Sequence, residues 1–136
     1  MRHTFETMGT VVSLEGVDDR TVEKVKSIFA AADSRFSLYR PESELARIAS
    51  GELAMMDSSV ELRTAYADAL AWSSLTSGAF SPNRPDGVVD LNGIVKAQAM
   101  QAAGALIDAE GWREWSLNVG GDILIVRATT EASDRA

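Results

Sequence analysis

Val88-Val89-Asp90-Leu91-Asn92-Gly93-Ile94-Val95-Lys96 reads as a short strand that turns directly into a helix. Val88 to Leu91 supply the strand, and Asn92 or Gly93 opens an Ala-rich helix that runs on to Gly111. Beyond it, Trp115, Leu117 and Val119 alternate with Ser116 and Asn118, the period of a half-buried strand. Ile123 to Val126 make another strand, reached across Gly120-Gly121, which suits a primed hairpin turn.

Toward the N-terminus, Met8 to Glu15 is β-branched and alternating, and reads as a strand ending near Gly16. Asp18 and Asp19 can cap a helix whose apolar positions Val22, Val25, Ile28, Phe29, Ala32 and Phe36 recur at helical spacing. Pro41 disfavours helix at Arg40, so Ser37 to Pro41 is a break. A short helix over Ser43 to Ala49 follows. Asp57-Ser58-Ser59 opens the next one, striped by Leu62, Ala65, Tyr66, Ala69 and Leu70 and ended by Gly78. Two prolines, Asn83 and Gly87 make the 81–87 stretch a loop. The pattern predicts an α+β fold, a mixed or antiparallel sheet packed by helices. It forms a single domain over residues 1–127, with a polar, disordered tail at 128–136.

The chain has 136 residues, and 46% of them are hydrophobic. A chain of that length buries roughly two-thirds of its unfolded surface. The net charge of −7 argues against a general nucleic-acid or anionic-membrane surface. There is no cysteine, which excludes disulfides, thiolate metal sites and cysteine nucleophiles. His3, the only histidine, is expected on the surface, so Ser-His-Asp chemistry has no support. The start of the chain has no apolar signal core and no segment has membrane-spanning length, so a cytoplasmic location is expected.

The strand–helix junction has the residue types of an anion site. A helix N-terminus exposes unpaired N–H groups and about half a positive charge. Gly93 lets a phosphate approach the backbone, Lys96 lies in the first turn, and Asp90 ends the incoming strand. Asp90 can accept from a ribose hydroxyl or a base N–H, or hold a cation. The same residues also serve an ordinary helix start, with Asn92 as cap and Lys96 in solvent. Neither a P-loop pattern nor a dinucleotide fingerprint is present. Asn118-Val119-Gly120-Gly121-Asp122 likewise reads either as a plain turn or as a second ligand-facing element.

Six blocks, taken in order, resemble the ApbE family of flavin transferases. They are Met8-Gly9-Thr10, Arg35-Phe36-Ser37-Leu38-Tyr39, Ser43-Glu44-Leu45-Ala46-Arg47-Ile48, Ser77-Gly78-Ala79-Phe80-Ser81, Asp90 through Lys96, and Asn118 through Asp122. The resemblance implies transfer of FMN from FAD onto a Ser or Thr of a target protein, with Mg2+. By that resemblance Met8, Tyr39, Ala79, Phe80 and Ser81 line the FAD site. Asp90 and Lys96 contact its adenosine and phosphate side, and the Gly93 carbonyl is one ligand of the metal. Ser81 stands where the family usually has Asp, and Ala97 where it usually has Gly. Family members usually continue for about as many residues again, with the remaining metal ligands there. A homodimer, or a partner chain that supplies that part, is therefore expected.

Overall fold

The computed structural model describes residues 2–78 and 81–127. Among these the order is β1 (Arg2–Thr7), β2 (Thr10–Glu15), α1 (Asp19–Phe36), α2 (Glu44–Ala49), α3 (Val60–Leu75), α4 (Asn92–Ala109), β3 (Trp115–Val119) and β4 (Asp122–Val126), with a single 3₁₀ turn at Met55–Asp57. The strands form one sheet in the order β1-β2-β3-β4. Each neighbouring pair is antiparallel, so the expected α+β class holds with a purely antiparallel sheet among the described residues. The polar tail at 128–136 lies outside them. The chain packs as two compact units: one runs up to Phe29 and resumes at Ala99, and the other is Ala30–Gln98.

The first unit is built by period-2 burial. Val12 and Leu14 on β2, and Trp115, Leu117 and Val119 on β3, are buried on one face of the sheet. Val22, Val25 and Phe29 of α1 and Ala99, Ala103 and Ile107 of α4 are the buried helix residues of the same unit. Each large side chain removed from water there contributes about 1.5–3 kcal/mol. Gly104 brings α4 close to the sheet: a Cβ at that position would lie 3.0 Å from a Leu124 methyl and 3.3 Å from the Trp115 ring. Asp18 caps α1, its Oδ1 accepting from the Thr21 N–H at 2.9 Å. That bond, with the Thr21 hydroxyl, holds the Asp18 carboxyl below its ordinary value. The buried Thr21 hydroxyl in turn accepts from Trp112 Nε1 at 2.9 Å.

Three expectations are corrected in the structure. Met8 does not start a strand: Met8 and Gly9, with φ of +51° and +71°, form the two-residue turn of a hairpin in which Thr7 pairs with Thr10. β1, the strand before that turn, was hidden because only His3 and Phe5 mark its half-buried face, as suits an edge strand. Val88 to Leu91 form no strand but a single bridge, Asn83 to Val89. Pro82 and Pro85 on the facing side lack the N–H groups a longer ladder needs. His3 is not a surface residue: its side chain is only 15% exposed, with Nδ1 3.7 Å from the Asp19 carboxylate.

The second unit is organised by helix caps. Ser43 Oγ accepts from the Ala46 N–H and donates to the Ser37 carbonyl, fixing α2 against the chain that precedes it. Ser59 Oγ accepts from the Leu62 N–H and caps α3. Glu44 joins the two caps: its carboxylate accepts from the Ser59 N–H and the Ser59 hydroxyl, both at 2.6 Å, and Arg35 Nε lies 3.4 Å away. Burial alone pushes the Glu44 carboxyl up, but the Ser59 bonds and Arg35 outweigh it and the net shift is downward. A depressed carboxylate contributes stability above its unfolded value, and that contribution is lost as pH falls through the folded value. Glu44→Gln is therefore expected to cost about 1–2 kcal/mol in urea unfolding at neutral pH. The gap to wild type should close as pH falls below the ordinary carboxylate value of 4.5. A gap unchanged by acid would remove Glu44 from this role. Leu45, Leu62, Ala65, Ala69, Leu91, Ile94 and Val95 form this unit's buried core.

Candidate functional site

The start of α4 is assembled by the loop before it. Asp90 donates its N–H to the Pro82 carbonyl at 2.7 Å, and its Oδ1 accepts from the Asn92 N–H at 3.0 Å. Leu91 occupies the cap position, fully buried, with its carbonyl accepting from Val95 N–H. An apolar cap residue has no side-chain acceptor, so Asp90 supplies one from a residue earlier. The N–H groups of Gly93 and Ile94 belong to the first turn, which has no intrahelical partners for them. Asn92 and Gly93 are exposed, and Lys96, one turn on, is half-buried. A carboxylate, an open first turn and an ammonium are thus confined to seven consecutive residues.

Other predicted site residues of the same unit fall in two places. Ser81 is exposed at the loop's entry, and its Oγ accepts from the Asn83 N–H at 3.2 Å. Ala79 and Phe80 lie outside the described residues. Tyr39, in the α1–α2 connection, is 93% exposed, an uncommitted aromatic face suited to stacking on a planar ring. Tyr66 was read only as part of the apolar stripe of α3. Its hydroxyl donates to Asn83 Oδ1 at 3.0 Å and ties the 81–90 loop to α3. A phenol in an otherwise aliphatic stripe was the signal for it.

Met8 belongs to the first unit, and it sits beside the other glycine turn. β2 and β3 run antiparallel with Val12 opposite Val119, so the Met8-Gly9 and Gly120-Gly121 turns lie at one end of the sheet. The Gly120 N–H donates to the Val11 carbonyl at 3.1 Å and stitches those ends together. Gly120 and Gly121 have φ of +57° and +100°, the primed turn expected of them. Asn118 Oδ1 accepts from the Gly121 N–H at 2.9 Å and holds the turn. A methionine at positive φ costs about 1–3 kcal/mol of strain, a cost that tends to persist at ligand sites.

The two groups suit an anionic, ring-bearing ligand better than a metal ion. The described residues contain no group of three His, Asp or Glu side chains that could hold a cation. The Gly93 carbonyl lies inside the first turn of α4, where it ordinarily accepts an N–H four residues on. It offers a metal only its remaining lone pair. No helix among the described residues is long and apolar enough to cross a membrane.

Comparison with solved structures agrees with this architecture. The flavin transferase ApbE of Vibrio cholerae superposes with a TM-score of 0.79 at 17% identity, covering 96% of this chain and 60% of that one. The ApbE protein of Thermotoga maritima gives 0.74 at 16% identity, covering 92% and 58%. The apo flavinyl transferase ApbE of Pseudomonas stutzeri gives 0.73 at 16%, covering 92% and 60%. The chain thus spans about three-fifths of the length of the structures it matches. No curated protein sequence matches it. Identities this low establish the fold alone. The family itself is established by sequence, since the ApbE family model matches residues 8–86. With more than half of its length so matched and six ordered blocks on the same fold, the chain belongs to the ApbE family.

Proposed function

We propose that this chain is an FAD-binding flavin transferase domain, spanning residues 1–127, that acts in moving FMN from FAD to a Ser or Thr of a target protein. The observation that carries the reading is the start of α4. Asp90, the exposed first turn at Gly93, and Lys96 together offer what a nucleotide's ribose and pyrophosphate require. Lys96 and the first-turn N–H groups take the phosphates, and Asp90 takes a hydroxyl or base N–H. Tyr39 stacks on a ring, and Met8, Ala79, Phe80 and Ser81 complete the flavin side. A cytoplasmic location belongs to the same reading.

Magnesium is the weaker part of it. Mg2+ prefers six oxygens in near-octahedral geometry. The described residues assemble no group of three His, Asp or Glu side chains to provide them. On this reading the remaining donors come from the pyrophosphate and from polypeptide beyond this chain, contributed in continuity or by a partner.

Calorimetric titration tests the proposal. Wild type is expected to bind FAD. Lys96→Ala should weaken that binding by about 1.5–3 kcal/mol, the cost of losing a charge-assisted contact. Unchanged affinity in Lys96→Ala would take the lysine out of the site, and no binding by wild type would overturn the reading.

A further inference from the structure

β4 is an edge of the sheet, and its composition does nothing to blunt it. Natural edges are protected by prolines, lysines, bulges or inward charges. β4 reads Ile123-Leu124-Ile125-Val126 between Asp122 and Arg127, and it pairs with β3 residue for residue without a bulge. The opposite edge differs: the outward residues of β1 are Arg2, Thr4 and Glu6, all polar and exposed.

The two-residue turn makes Val119 and Asp122 a hydrogen-bonded pair, so Leu124 and Val126 also direct their backbone groups to β3. Ile123 and Ile125 therefore direct their N–H and C=O groups to the open edge. Their side chains stand on the open face of the sheet, 59% and 51% exposed, with Val11 at 52% on the same face. Hydrogen-bonding capacity and uncovered apolar surface thus coincide on the same two residues.

We propose that β4 pairs antiparallel with β4 of a second copy of this chain, about a two-fold axis through Leu124. In that register Ile123 faces Ile125 of the partner subunit, Ile125 faces Ile123 of the partner subunit, and four ladder hydrogen bonds form between these pairs. The four isoleucines close over one another on one face of a continuous sheet. The charges select the same arrangement. Antiparallel pairing sets the Asp122 end of each strand beside the Arg127 end of the other, whereas parallel pairing sets like charges together. The closed two-fold leaves no β4 edge for further addition, so association stops at the dimer. The inference stands apart from the flavin reading, because association and FAD binding are measured separately.

Sedimentation velocity across the micromolar range tests it. Wild type is expected to dimerise, and Ile123→Lys and Ile125→Lys should each weaken the dimer at least ~tenfold by removing apolar contact and opposing charge across the two-fold. Both sites are more than half exposed, so the monomer fold should survive, as circular dichroism would register. Thr4→Lys, on the β1 edge, should leave association unchanged. A wild type that stays monomeric throughout, or a Thr4→Lys variant as impaired as Ile123→Lys, overturns the proposal.

Discussion

Incubated with FAD, magnesium and a Thr-containing acceptor peptide, the chain alone is expected to transfer FMN at least ~100-fold more slowly than the Vibrio cholerae flavin transferase assayed beside it. Pyrophosphate cleavage leaves the protein little covalent chemistry to perform. Catalysis rests on positioning and on neutralising charge that develops between the departing groups. This chain offers Lys96 and a helix start, and no cluster of three His, Asp or Glu side chains among its described residues. The structures it resembles devote about two-fifths of their length to parts outside the match. A chimera carrying that remaining part of the Vibrio cholerae enzyme after Arg127 should regain transfer, read as FMN-modified peptide by mass spectrometry with release of AMP. Efficient transfer by the chain alone would show that the remaining part is dispensable.

Gly16→Ala is expected to destabilise the fold by about 3 kcal/mol or more, a loss large enough to unfold a marginal domain. Gly16 ends β2 with φ of +92°, a region that side chains rarely adopt. A Cβ there would sit 2.2 Å from the Glu114 carbonyl oxygen and 2.9 Å from the Trp115 Cα. Both are backbone atoms, so no rotamer change relieves the contact. The β2–β3 pair at Glu15 and Ser116 must separate instead. Gly104→Ala is the informative contrast, because its nearest neighbours are the ends of the Leu124 and Trp115 side chains. Those can yield, and alanine in a helix recovers about 1 kcal/mol, so that variant should lie near wild type. Urea midpoints compare the two. A Gly16→Ala chain within 1 kcal/mol of wild type would contradict the backbone geometry.

Helix starts were the most legible part of the fold, because their chemistry is local. Asp18, Ser43 and Ser59 each cap the helix that follows, as their residue types announced. β3 and the Gly120-Gly121 turn were legible for the same reason. The β1–β2 hairpin was not. Its turn places a methionine at positive φ, where residue preferences point to asparagine or glycine, so Met8 read as strand. Val88 to Leu91 failed as a strand because pairing depends on what lies opposite, and Pro82 and Pro85 lie there. In the site, Asp90, Gly93 and Lys96 were bound to converge, being within two turns of one another. The ties of Asp90 to Pro82 and of Tyr66 to Asn83 needed the folded loop and could not be read from spacing.

The account's central claim is that flavin nucleotide binds on the first turn of α4, and amide hydrogen exchange with and without FAD tests it most directly. Saturating FAD is predicted to slow exchange at residues 91–96 and in the 37–41 connection that carries Tyr39, with the 60–75 helix unaffected. Exchange that is unchanged by FAD, or slowed only away from residues 91–96, would contradict it.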